Sequence, residues 1–132
     1  MNCTELQELL KDFLQRVPLY APFKIGQVII VRVNECIFEV IKKGNKCEIN
    51  KPSNYENQLI LRLSDIESFK YLFQSRGLEE YGSRLVNLAV QEKINMDLGQ
   101  YENPMKCGFH RFIGYRKKAK GLETYQWVIP LF

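Results

Sequence analysis

The sequence has a single histidine, His110, and that scarcity narrows its chemistry at once. Acid–base catalysis near neutral pH draws most often on histidine, so any such mechanism would have to centre on this one ring. The motifs that would mark other chemistries are missing as well. There is no Gly-rich phosphate loop, no dinucleotide-binding turn, no Gly-x-Ser-x-Gly elbow and no His-Glu-x-x-His helix. No apolar run approaches the roughly 18 residues needed to cross a bilayer as a helix. The start, Met1-Asn2-Cys3-Thr4-Glu5, lacks the basic residues and apolar stretch of an export signal. These absences predict a cytoplasmic protein, in which the sequon Asn2-Cys3-Thr4 would go unglycosylated.

Cysteine is also sparse. Cys3, Cys36, Cys47 and Cys107 include no Cys-x-x-Cys pair, and in a reducing cytoplasm free, buried thiols are expected. Cys107 and His110 have a Cys-x-x-His spacing, but a closed zinc site needs about four ligands at paired spacings. No metal and no cofactor is therefore implied. As a nucleophile–base pair the same two residues fare no better. On an extended segment their side chains point to opposite faces, and no third group is at hand to orient the base. Glu35, Glu39 and Glu48 fall on or beside strand-like segments and read as solvated charges. No catalytic residue emerges, and the expectation is binding rather than catalysis.

What is present suffices for one domain spanning residues 1–132. The chain is 45% apolar and 26% charged, ordinary values for a globular fold. Its net charge of +4 is uneven: residues 1–105 hold 13 Lys and Arg against 14 Asp and Glu, whereas residues 106–132 hold six against one. A basic, aromatic C-terminal extension thus begins at about residue 105 and raises the question of a nucleic-acid, membrane-surface or protein partner.

Periodicity supplies the elements. Leu6, Leu9, Leu10, Phe13, Leu14 and Val17 recur at helical spacing, with Thr4 and Gln7 as a capping box and Pro18 as the stop. The stripe reads as core. Gln27–Val33, Cys36–Lys42, Lys46–Asn50 and Gln58–Leu63 read as strands, the first two joined at Asn34-Glu35 and the next two by a Gly44-Asn45 turn. A second capping box at Ser64 to Glu67 opens a helix with Ile66, Phe69, Leu72 and Phe73 on one face. Another helix runs from about Glu79 to Gln91. Lys93–Leu98 alternates strictly, as a half-buried strand does, and Gly99 ends it. Phe109–Tyr115 and Thr124–Leu131 look extended. Runs of strands followed by runs of helices predict an α+β fold, one curved, mainly antiparallel sheet packed against two or three helices.

Residues 37–76 resemble part of a sterol carrier protein type 2 domain. Ile37-Phe38-Glu39-Val40-Ile41-Lys42-Lys43-Gly44 is similar to that family's strand ending in a glycine turn, and Lys46-Cys47-Glu48-Ile49 to the returning strand. Gln58 to Asp65 resembles the next strand running into an acidic cap, and Ile66 to Phe73 the helix that follows. Glu92 to Gly99 matches the later strand and glycine turn. The family's closing amphipathic helix has no counterpart; the segment from Met105 to Phe132 stands in its place. The resemblance implies an apolar cavity between sheet and helices for a lipid or fatty acyl chain, lined by Phe13, Phe38, Phe69, Leu72, Phe73, Leu85 and Leu88. The same residues could instead fill a dry core, since interiors are close-packed. A second reading uses the extension. Phe109, Phe112 and Tyr115 could stack on bases while Arg111, Arg116, Lys117, Lys118 and Lys120 hold phosphates, or these residues could pack on the body beside a solvated basic loop.

Overall fold

In the computed structural model of the chain, residues 1–100 and 108–113 are described. Helix α1 spans Cys3–Arg16 and buries Leu6, Leu10, Phe13 and Leu14. Its cap lies two residues earlier than expected, at Asn2 instead of Thr4. The Asn2 side chain accepts from the Glu5 N–H at 2.9 Å and the Asn2 N–H donates to the Glu5 carboxylate at 3.2 Å. Asparagine caps a helix as well as threonine does, and the reciprocal glutamate three residues on fixes the choice.

Strands β1 (Val28–Val33), β2 (Cys36–Lys43), β3 (Lys46–Asn50) and β4 (Leu59–Leu63) precede helices α2 (Ile66–Phe73) and α3 (Leu78–Val90). Strand β5 (Ile94–Asp97) and the single helical turn α4 (His110–Ile113) follow. The Asp65 carboxylate, rather than Ser64, caps α2 by accepting from the Ser68 N–H at 2.7 Å. The strands form one mixed sheet in the order β3-β2-β1-β4-β5. Pairing is antiparallel except between β1 and β4, which run parallel. That parallel neighbour is why β1 and β4 read as nearly continuous apolar runs, VIIVRV and LILRL.

The α+β expectation therefore holds, with three full helices and a fourth short turn among the described residues. One sheet face carries Ile29, Val31, Val33, Phe38, Val40, Leu59, Leu61, Leu63, Ile94 and Met96, and these share a core with the buried faces of α1, α2 and α3. The alternate residues lie on the opposite face, where Val28, Ile37, Ile41 and Arg62 are half-buried and Ile30 and Ile60 are buried.

Two expectations are corrected. Phe109–Tyr115 is not a strand where it is described: Ile113 N–H bonds to the Phe109 carbonyl at 3.2 Å, closing a helical turn. Gly108 leads into it with φ +84°, against the Pro22 carbonyl, where no Cβ would fit. Nor are all the thiols free. Cys3 and Cys36 form a disulfide across a sequence separation of 33, with their Cα atoms 5.4 Å apart. The fold sets the first residue of α1 over the first residue of β2, a proximity that spacing along the chain does not reveal. Cys47 is free, and Cys107 lies outside the described residues. No helix among the described residues is long and apolar enough to cross a membrane.

Candidate functional site

The residues expected to line a cavity do converge. Phe13, Phe38, Phe69, Leu72, Phe73, Leu85 and Leu88 belong to one core cluster, and none exceeds 3% exposure. Their rings meet one another directly. Phe69 and Phe73 have centroids 4.7 Å apart, Phe13 and Phe73 5.4 Å, and Phe38 and Phe69 5.9 Å. Tyr81, absent from the expected set, completes the layer by stacking on Phe13 at 5.5 Å. Distances of this order are those of aromatic pairs in contact, so the layer between sheet and helices is occupied by its own side chains. Tyr81 is fully buried, and its hydroxyl donates to the Phe112 carbonyl at 2.6 Å. Burial also holds its phenol well above the usual tyrosine range.

Open space lies next to this layer. A groove of about 530 Å³ runs between α1 and β3, the edge strand among the described residues. Gln7, Glu8, Lys11, Leu14 and Gln15 line it from α1, at the three- and four-residue spacings that share a helix face. All five residues of β3 line the other side. Their alternation turns Cys47 and Ile49 toward the helices and Lys46, Glu48 and Asn50 away. Tyr20 closes one end from the connector after α1. That connector is held by Lys42, whose ammonium donates to the Ala21 and Phe23 carbonyls at 2.7 and 2.9 Å. The helix and the edge strand are tied directly where Gln7 Nε2 donates to the Ile49 carbonyl at 3.2 Å.

The groove has an apolar floor and a mixed rim. Leu14 belongs to the core, and Tyr20, Cys47 and Ile49 pack against it. From α1, Glu8 and Lys11 supply charges of both signs at the rim. Burial pushes the Cys47 thiol up to about 11, and burial, with a smaller contribution from Cys47, raises the Tyr20 phenol. At neutral pH the thiol is therefore protonated and a poor nucleophile, and the groove lining includes no histidine that could act as its base.

Of the residues weighed for nucleic-acid contact, Phe109 and Phe112 are fully buried. They pack on Phe23 with centroids 5.0 and 5.7 Å away, so their ring faces are taken up by the core. Arg111 is half-buried beside Arg16 and Leu78 at a small surface pocket. Tyr115, Arg116, Lys117, Lys118 and Lys120 lie outside the described residues. No cluster suited to a metal occurs among the described residues.

With the geometry in hand, comparison with known proteins adds little. No family model matches the chain, and no curated protein does. One solved structure, a UbiJ-SCP2 ubiquinone synthesis protein, is similar to it. The two are 14% identical, with a TM-score of 0.45 over 83% of this chain and 89% of that one.

Sequence reasoning missed the groove. Its strongest sequence signal was the short, alternating strand Lys46–Asn50, too polar for an inner strand and yet bearing Cys47 and Ile49 on one face.

Proposed function

We propose that the protein is a non-catalytic binder of an apolar ligand with a polar head, of the fatty acyl type, held in the groove between α1 and β3. The observation that carries this reading is the apolar floor of Leu14, Tyr20, Cys47 and Ile49 at the bottom of a space of about 530 Å³. Ligand sites commonly have volumes of about 300–1,000 Å³, with mostly apolar walls and a few polar groups that set orientation. Lys11 at the rim suits a carboxylate head, while Glu8 beside it disfavours a highly charged one. Behind Leu14 stands the layer of Phe13, Phe69, Leu72 and Phe73, with Phe38, Leu85 and Leu88, which forms the rigid wall of the site in this reading. Burial keeps the Cys47 thiol protonated and no histidine lines the groove, so the groove offers no activated nucleophile.

The test is a titration with oleate, followed by displacement of a fluorescent fatty acid. Ile49→Asp places a charge on the floor and should weaken binding by tenfold or more, which corresponds to about 1.4 kcal/mol. Ile41→Asp places the same charge on the opposite sheet face and should leave binding unchanged. Equal effects of the two substitutions, or no binding by the parent protein, would remove the groove as the site.

A further inference from the structure

The disulfide occupies a position from which it can govern this groove. It joins Cys3, the first residue of α1, to Cys36, the first residue of β2. Helix α1 is one wall of the groove, and its anchorage is unequal along its length. Toward its C-terminal end Phe13 packs on Phe73 and Tyr81, and Leu14 is buried beside it. Toward its N-terminal end the attachments are Leu6, the Gln7–Ile49 hydrogen bond and the disulfide. Neither Cys3 nor Cys36 lines the groove, so the state of the bond is separate from the ligand contacts. Cys3 is exposed, and solvent-borne reductants can reach the bond from its side.

We propose that Cys3–Cys36 is a redox latch on the α1 wall: oxidised, it fixes the first two turns of the helix against the sheet; reduced, it frees them and weakens ligand retention. The step needs a dithiol reductant of the thioredoxin type. Its thiolate attacks one sulfur of the bond, its second thiol resolves the mixed disulfide, and two electrons and two protons end on Cys3 and Cys36 as thiols. The reductant leaves as its own disulfide. Leu6 and Leu10 are packed in the core independently of the bond, so the helix loosens at its start rather than leaving the sheet. The latch would remain closed in an oxidising compartment and open in a reducing one.

The regulatory consequence rests on the groove being the ligand site, whereas the latch itself does not. Hydrogen exchange on the full chain, oxidised and then treated with dithiothreitol, tests the latch without any ligand. Amides of residues 6–10 should exchange about tenfold faster after reduction, corresponding to about 1.4 kcal/mol of lost local stability. Amides of β1 and β4 should be unchanged. The Cys3→Ser/Cys36→Ser double variant should match the reduced protein, and it excludes a side effect of the reductant. Identical exchange in α1 before and after reduction overturns the latch. Oleate titration of both forms then reads the coupling, with threefold or greater weakening expected on reduction. Faster exchange with unchanged oleate affinity overturns the regulatory role and leaves the groove reading standing. Failure of both forms to bind oleate removes the groove reading, and with it the regulatory role, while the exchange data still decide the latch.

Discussion

Replacing Phe73 by alanine separates a filled aromatic layer from a lined cavity. Phe73 is fully buried and its ring meets those of Phe13, Phe69 and Tyr81. Removing the ring forfeits a transfer term of about 2 kcal/mol. If the neighbours hold their places, it also leaves a new void of about 80 Å³, which at roughly 24 cal/mol per Å³ adds about 2 kcal/mol. The total is about 4 kcal/mol. Unfolding entropy near 60 °C is about 2.1 cal/mol/K per residue. For 132 residues that predicts a fall in Tm of about 14 °C, read by circular dichroism, with a matching loss of stability in urea. Were the rings lining an unfilled space instead, Phe73→Ala would enlarge a void already present, the second contribution would vanish, and the fall would be about 7 °C. A loss of 2 kcal/mol or less would refute the close packing on which the placement of the ligand outside the core depends.

Further outcomes follow from individual groups. Tyr81→Phe removes the hydroxyl that donates to the buried Phe112 carbonyl, and should cost about 1–3 kcal/mol in urea unfolding; a neutral result would mean that α4 does not seat as described. Burial holds the Tyr81 phenol above the ordinary value of 10.0. The unfolded chain therefore ionises first as pH rises, and stability should be complete below about pH 10 and fall above it, a decline that Tyr81→Phe should reduce. Cys47, raised from 9.0 to about 11, should react with iodoacetamide at pH 8 roughly 100-fold more slowly in the folded Cys107→Ser background than in urea, because its thiolate fraction is smaller by that factor. Reaction at the rate of an ordinary exposed thiol would show that the groove floor is not buried as described.

Much of the fold was legible from local pattern. The strand at Cys36–Lys43, the Gly44 turn with φ +60° and the returning strand Lys46–Asn50 all follow from alternation and turn chemistry within one hairpin. So do the stripe on α1 and the acidic cap before α2. What escaped was non-local. The parallel pairing of β1 with β4 joins segments about thirty residues apart, and nothing in either strand names its partner. Free thiols were expected from a reducing cytoplasm and the absence of a Cys-x-x-Cys pair, whereas the Cys3–Cys36 bond depends on the assembled topology. Phe109 and Phe112 looked extended because two aromatics among polar residues suit a strand as readily as a turn. Their packing on Phe23, a residue far off in sequence, decided the outcome. The seven apolar residues assigned to a ligand cavity share one core cluster, but periodicity reports only that a face is buried, not whether a ring or a ligand buries it. The groove is a property of two surfaces, α1 and the β3 edge, and neither is unusual alone.

The measurement that bears most directly on the central claim is a map of oleate binding by amide chemical shifts on isotopically labelled, oxidised protein. The groove reading predicts that the largest changes fall on residues 7–15, Tyr20 and 46–50, the elements that enclose the space, with α3 and β5 little altered. Changes centred instead on Phe69, Leu72 and Leu85 would place the ligand inside the aromatic layer, and an unchanged spectrum at saturating oleate would contradict the account altogether.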